Sequence, residues 1–144
     1  MNPNLQEMAT LTVPVVVVVI GEGGSGGALG IAVGDRIFVL ENAYYSVISP
    51  EGCAAILWKE TGRAPDAAKA LKMTAQDLLQ LGLIDGVIAE PLGGAHRDFE
   101  QTARNVGQTV DKALEELRSI SRKELPELRY QKFRKMGAFG VKKA

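Results

Sequence analysis

The sequence has few of the residues on which disulfides, metal sites and membrane spans depend. Its 144 residues include one cysteine, Cys53, and one histidine, His96. A single cysteine excludes an internal disulfide, and these two side chains are too few for a protein-only zinc site, so we expect no metal. The longest apolar run, residues 13–20, contains Pro14 and is far shorter than the about 20 residues that span a bilayer. The first twelve residues carry no Lys or Arg, so we expect no signal peptide and a cytoplasmic location.

Net charge is also absent, but the charges are unevenly distributed. The chain has 17 bases and 17 acids, with five acids against the single base Arg36 in residues 1–58 and eleven bases against six acids in residues 99–144. A basic tail can dock on nucleic acid, on an acidic membrane surface or on an acidic partner. Here the bases alternate with acids and leucines, so we expect neither nucleic acid nor membrane as a partner. Residues 129–135 are expected to form a solvated or subunit-contacting face.

The hydrophobic pattern predicts an α/β fold. Residues 15–20 are six β-branched residues without polar alternation, which predicts an interior, parallel strand. Further strands are predicted at residues 36–40, 44–48 and 83–89. Helices are predicted at residues 1–12, 28–33, 49–59, 66–73, 74–82, 99–117 and 121–136.

Five glycines within residues 21–27 lie between the first predicted strand and the first helix after it. Main-chain N–H groups at glycines are accessible because no Cβ blocks them, and with a helix dipole behind them they form an anion site. The anion could be a nucleotide phosphate, a carboxylate or an oxyanion that develops during a reaction. The structural alternative is that the glycines only let a helix pack closely on a sheet, although one or two glycines would suffice for that.

A dinucleotide site is the main competing interpretation of this segment. Gly21, Gly23 and Gly26 match the fingerprint of an NAD(P)-binding oxidoreductase, and Glu41 could accept from a ribose. However, Glu41 lies only 20 residues after Gly21, and Gly34 ends the intervening helix early, so the crossover is short for such a unit. A Walker motif is excluded because no Lys-Ser/Thr follows the glycines. An oxyanion site needs only two amides in a dry apolar pocket, and it is the favoured interpretation.

Two longer strings identify a known family. Residues 18–29 (VVIGEGGSGGAL) and 45–59 (YSVISPEGCAAILWK) closely resemble the carboxyltransferase alpha subunits of multi-subunit acetyl-CoA carboxylase. Residues 90–97 look like a later signature of the same family, and residues 74–85 resemble the closing helix and strand of the wider crotonase superfamily. The resemblance implies a partial crotonase-like ββα spiral. Residues 1–98 would be the C-terminal half of the carboxyltransferase domain, and residues 99–144 a helical extension packing outward for subunit contact.

The resemblance also implies an activity and partners. Family members transfer the carboxyl group of carboxybiotin, on the biotin carboxyl carrier protein, to acetyl-CoA, giving malonyl-CoA for fatty acid synthesis. The implied partners are a zinc-bearing carboxyltransferase beta subunit in an alpha2beta2 assembly, the carrier protein and biotin carboxylase, in an ATP-dependent complex. The catalytic amides map to Gly23 and Gly24, which would stabilise negative charge on the ureido oxygen of biotin. The residues expected to line the biotin site are Glu22, Ser25, Gly26, Gly27, Ser49, Pro50, Glu51 and Gly52. A catalytically inert interaction fragment is the remaining alternative.

Simpler roles are available for several of these residues. Glu22 could brace the loop through a salt bridge, and Ser25 is expected to cap the following helix rather than to act as a nucleophile. For residues 49–52, a wall of the biotin or CoA site and a plain helix cap are equally good interpretations.

Four residues outside these segments also have two interpretations each. Asp35 could lie near the substrate, although a solvated turn is the more ordinary position. Cys53 is expected to be a core thiol, and Trp58 a core or interface residue. His96 is the only histidine, and it is expected to brace its loop or to contact the beta subunit rather than to act as a general base.

Overall fold

The predicted order of strands and helices is largely confirmed in the computed structural model, which describes residues 3–137. The strands are β1 (Val16–Val19), β2 (Glu22–Gly24), β3 (Arg36–Leu40), β4 (Tyr44–Ser46) and β5 (Gly86–Ile88). The helices are α1 (Pro3–Ala9), α2 (Ser25–Ile31), α3 (Pro50–Trp58), α4 (Ala64–Leu71), α5 (Ala75–Gln80), α6 (Phe99–Arg118) and α7 (Leu125–Arg134). Short 3-10 turns lie at Thr61–Arg63 and Ala95–Arg97. Residues 138–144 of the expected C-terminal extension lie outside the described residues.

Two parallel sheets are built by a repeated strand–strand–helix unit. One sheet has the order β1-β3-β5 and the other pairs β2 with β4. The chain passes through β1, β2 and α2, then through β3, β4 and α3, so each unit adds one strand to each sheet. β5 joins β3 in the first sheet. This arrangement is the partial ββα spiral that the family resemblance implies.

The first strand is parallel, as predicted, but it lies at an edge among the described strands, so the prediction of an interior strand is wrong. β1 pairs only with β3 among the described strands, and of its four residues only Val17 is buried, while the others are half-buried. A run without polar alternation indicates that both faces of a strand meet apolar groups. It carries no information about whether both main-chain edges are paired.

Two helices begin at side-chain caps, at Ser49 and at Thr74. The Ser49 side chain accepts from the Gly52 N–H at 3.1 Å at the start of α3, and the Thr74 hydroxyl accepts from the Asp77 N–H at the start of α5. These bonds satisfy main-chain donors that have no partner inside the helix. They fix where the two helices begin.

The C-terminal helices pack one side on the sheet of their own chain, and their expected contact with another subunit stays a prediction. Ala113 and Leu117 of α6 and Leu125 of α7 are buried, and Phe133 packs against the main core. That core is formed by β1, β3, β5 and their neighbours, with Ile37, Val39 and Leu40 almost fully buried. The helices bury their apolar sides here because a parallel sheet needs cover on its faces.

A buried ion pair lies at the amino ends of β1 and β3 in the first sheet. Asp35 and Arg129 have side chains only 4% and 1% exposed, with a guanidinium–carboxylate distance of 2.8 Å. Arg129 also donates to the carbonyls of Met8, Ala9, Leu11 and Val13. Asp35 is therefore buried and does not lie in a solvated turn, and Arg129 shows that residues 129–135 do not form a wholly solvated face. The signal was missed because 94 residues separate the partners.

Lys132 continues this arrangement along the same helix. Its ammonium group donates to the Asp35 carbonyl at 3.1 Å and pairs with the Asp85 carboxylate. Asp85 in turn accepts from the Ile37 N–H at 2.7 Å, at the start of β3. Two aspartates thus accept main-chain N–H groups near the starts of β1 and β3, since Asp35 accepts from the Val15 N–H at 2.8 Å.

A small second core lies between α3 and α4. Cys53 is buried there, as expected for a core thiol, with Ala54 and Ala67. Trp58 is half-buried at its edge, and the Arg63 guanidinium stacks on the indole ring at 4.5 Å from the ring centroid.

Candidate active site

The glycine-rich segment, predicted to be a loop, is partly a strand. Glu22, Gly23 and Gly24 form β2, which runs parallel to β4 with the register Glu22–Tyr44, Gly23–Tyr45 and Gly24–Ser46. A Cβ at Gly23 would lie 3.0 Å from Tyr45 Cδ2 and 3.0 Å from Val19 Cγ1. Glycine at this position therefore permits the close strand pairing, which local strand propensity does not reveal.

The pairing of β2 with β4 directs the main-chain N–H groups of Gly23 and Gly24 to opposite sides of β2. The Tyr44 N–H donates to the Gly21 carbonyl at 3.2 Å, so the main-chain groups of Gly21 face β4. Successive residues of a strand direct these groups to alternate sides. Those of Gly23 therefore face β4 as well, whereas those of Gly24 face away from it.

Four of the five glycines in this segment have open space at the position of a Cβ, and Gly21 is one of them. An ideal Cβ at Gly24, Gly26 or Gly27 would meet nothing within 4 Å, and none of the three has a positive φ. All three are exposed. Gly26 and Gly27 lie within α2, where each glycine costs about 0.5–1 kcal/mol relative to alanine. Their lack of side chains is therefore not explained by the packing of this chain.

Ser25 does not cap the helix, contrary to the sequence-based expectation. Gly24 takes the N-cap position, with φ −128° and ψ 154°, and Ser25 follows as the first residue of α2. Ser25 has a φ of 62°, a conformation that costs a non-glycine residue about 1–2 kcal/mol. A strained residue thus marks the turn between β2 and α2, and such residues cluster at functional sites.

The second predicted segment, residues 49–52, meets the first through a residue that sequence analysis missed. Partial burial raises the pKa of the Tyr44 phenol, and the carboxylates of Glu22 and Glu51 raise it further. Tyr44 therefore feels the charge of an acidic residue from each segment. Gly52 has a packing role, because a Cβ there would lie 3.1 Å from Ile48 Cγ1. The signal for Tyr44 is the β2–β4 pairing, which places it in register with Glu22.

An apolar cavity of about 260 Å³ lies beside the glycine strand. Its lining includes Val17, Val19, Ala28 and Tyr45. The Tyr45 hydroxyl donates to the Ala28 carbonyl at 3.2 Å, so the ring lies beneath the β2–α2 turn. The cavity beside the glycine segment therefore has a mostly apolar lining, in line with the apolar flanks of that segment in the sequence.

A cleft of about 570 Å³ lies at the carboxyl ends of β3 and β5. Glu90 accepts from the Asn42 N–H at 2.9 Å and the Ala95 N–H at 2.7 Å. Partial burial alone would raise the pKa of Glu90, but these bonds and nearby His96 outweigh it and hold the pKa below its usual range. His96 is exposed in the same loop, so its loop-bracing interpretation remains a prediction.

Residues 3–137 contain no group of three or more His, Cys, Asp and Glu side chains placed to hold a metal ion. None of the helices in that part of the chain has the length and apolar composition needed to cross a membrane.

The chain is similar in fold to solved structures and similar in sequence to curated proteins. Transcarboxylase 12S, solved with methylmalonyl-coenzyme A and methylmalonic acid bound, superposes with a TM-score of 0.64 at 18% identity, covering 81% of this chain and 23% of that one. A Pseudomonas malonate decarboxylase hetero-tetramer in complex with coenzyme A gives 0.66 at 15% identity, covering 88% and 50%. The ββα repeat and these neighbours define a crotonase-like fold.

The sequence then gives the family. Residues 1–137 match the family described as acetyl co-enzyme A carboxylase carboxyltransferase-like, and the chain belongs to it. The carboxyl transferase subunit alpha of Geobacter metallireducens is 59% identical over 136 residues, covering 94% of this chain and 43% of that protein. A Thermus thermophilus protein of the same name is 57% identical, covering 94% and 44%. The chain thus spans less than half the length of these curated relatives.

Proposed function

We propose that this chain supplies the alpha half-site of an acetyl-CoA carboxylase carboxyltransferase. The reaction is transfer of a carboxyl group from carboxybiotin, on a carrier protein, to acetyl-CoA, giving malonyl-CoA. The observation that carries the proposal is Gly24, an exposed glycine in extended conformation whose main-chain N–H faces away from the β2–β4 ladder. Family membership supplies the reaction class.

In this proposal, Gly24 and Gly23 have different roles. The Gly24 N–H donates a hydrogen bond to the ureido oxygen on which negative charge develops as the carboxyl group leaves. One preorganised donor of this kind typically lowers the activation free energy by about 2.7–4 kcal/mol. Gly23, whose main-chain groups face β4, keeps the strand close to Tyr45 and so holds Gly24 in position.

The remaining predicted site residues surround this donor. Gly26 and Gly27 leave open space beside it, which suits close approach of a flat bicyclic ring. Ser25 sets the direction of the turn through its positive φ. Residues 49–52 form a neighbouring wall, since Glu51 and Glu22 both influence Tyr44.

The acidic residues near the glycine strand support the assignment of CoA binding to a different subunit. The carboxylates of Glu22, Glu41, Glu51 and Glu90 lie around the glycine strand and the carboxyl ends of β3 and β5. Arg36, the only base in residues 1–58, lies at the opposite, amino end of β3. The phosphates of CoA would find little attraction here, so the proposal assigns CoA binding to a beta subunit. An alpha2beta2 assembly, biotin carboxylase, the carrier protein and a cytoplasmic role in fatty acid synthesis belong to the same proposal.

The dinucleotide alternative has less support. In a dinucleotide-binding unit the glycines lead directly from strand to helix, whereas here residues Glu22–Gly24 form a strand of a second sheet before α2 begins. The helix α2 is also only seven residues long.

The test is a carboxyl-transfer assay on the assembled carboxyltransferase, with malonyl-CoA formation from carboxybiotin as the readout. The proposal expects turnover that requires the beta subunit. Saturable binding of NADH without binding of a biotin derivative would support the oxidoreductase alternative instead. Partner binding without any turnover would show an inert interaction fragment.

A further inference from the structure

One face of the small second sheet carries an acidic and a phenolic side chain beside the proposed donor. Side chains of a strand alternate between faces. Gly23 and Tyr45 share the inner face, since the Tyr45 ring lies 3.0 Å from the position of a Gly23 Cβ. Glu22, Gly24, Tyr44 and Ser46 therefore share the outer face, with Glu22 directly in register with Tyr44.

The position of Glu22 creates a difficulty for an oxyanion site. It lies two residues before Gly24 on the same face, about 6.6 Å away along the strand. A carboxylate that turned toward Gly24 would itself accept the Gly24 N–H bond. It would also repel negative charge developing on a substrate oxygen. Something must hold that carboxylate away from Gly24.

We propose that Tyr44 is a positioning residue whose hydroxyl holds the Glu22 carboxylate away from the Gly24 N–H. The register brings the two side chains side by side on the outer face, and burial and the Glu22 carboxylate both raise the pKa of the Tyr44 phenol. Tyr44 is itself fixed by a bridge to Thr74 and by its N–H bond to the Gly21 carbonyl. This assignment rests on the proposed function, because it matters only if Gly24 receives a developing anion.

The first test is a double-substitution series in the assembled carboxyltransferase. Tyr44→Phe is expected to lower kcat about tenfold with little change in KM, since it frees an anionic competitor near the reacting oxygen. Glu22→Gln in the Tyr44→Phe background is expected to restore kcat, because a neutral amide does not repel the oxyanion. A purely structural role for Tyr44 predicts no such rescue, and that result would overturn the proposal. Tyr130→Phe, on an exposed residue of α7, is the matched control.

The second test does not depend on activity. The ring of Tyr44 is followed by NMR of ¹³C-labelled tyrosine through a pH titration, in wild-type protein and in Glu22→Gln. Loss of the carboxylate is expected to lower the pKa of Tyr44, and Glu51→Gln is expected to lower it less. An unchanged pKa in Glu22→Gln would refute the contact, whatever the assay shows. Absence of turnover in the wild-type assembly, with the pKa shift present, would instead refute the proposed function and leave the contact established.

Discussion

Replacing Arg129 by methionine tests how much of the fold depends on one buried side chain. The substitution removes a bidentate ion pair to Asp35 and the donors to four main-chain carbonyls between residues 8 and 13. Asp35, with a side chain 4% exposed, would keep its charge without a counterion. Breaking a buried pair in this way typically costs about 3–5 kcal/mol, a large part of the about 5–15 kcal/mol that stabilises a domain.

Equilibrium urea unfolding, followed by circular dichroism, measures this loss. Arg129→Met combined with Asp35→Asn is expected to reduce the penalty to about 1–3 kcal/mol, because only unsatisfied polar groups remain and no unpaired charge. Arg134→Met, an exposed residue of the same helix, controls for loss of a positive charge and is expected to be nearly neutral. A loss below about 1 kcal/mol in Arg129→Met would refute the reasoning, since a buried charge would then be tolerated unpaired.

Two further predictions concern stability. Gly23→Ala is expected to destabilise the fold by about 1–3 kcal/mol through overpacking against Tyr45 and Val19. The control Gly107→Ala, in α6 with open space at its Cβ, is expected to stabilise the fold by about 0.5–1 kcal/mol. Thermal unfolding of both variants measures these changes, and equal effects would contradict the packing role of Gly23. Because folding lowers the pKa of Glu90, its carboxylate stabilises the fold above the ordinary glutamate pKa and loses that contribution as the pH falls through the folded value. Melting temperatures measured from pH 7 to about pH 3 should therefore fall less in Glu90→Gln than in wild type, and parallel curves would contradict this.

Much of the fold could be predicted because its signals are local. The strand at residues 36–40 was predicted with the bounds that the structure has, since a β-branched and aromatic run between polar residues needs no distant information. The same holds for Ser49 and Thr74, whose capping bonds span three residues.

Two features could not be predicted because their causes lie far along the chain. The strand β2 consists of one glutamate and two glycines, which have low strand propensity, and it forms because β4 lies beside it. The ion pair of Asp35 and Arg129 depends on how α7 returns to the sheet.

For the candidate site, the sequence located the segments but not the roles within them. Both glycine amides were assigned as donors, yet the β2–β4 register gives Gly23 and Gly24 different directions. Tyr44 was not predicted to be a site residue, because only the β2–β4 register brings it beside Glu22. The site was therefore found at the level of segments, and the distinction between neighbouring residues required coordinates.

The most direct test of the central claim is to measure turnover and stability together in Gly24→Val. Its extended backbone, with φ −128° and ψ 154°, and the open space around it accept a β-branched side chain, which would cover the N–H proposed to receive the developing charge. The account predicts that carboxyl transfer by the assembled enzyme is abolished while subunit assembly and the melting temperature of the chain are unchanged. Wild-type turnover in this variant would contradict the account.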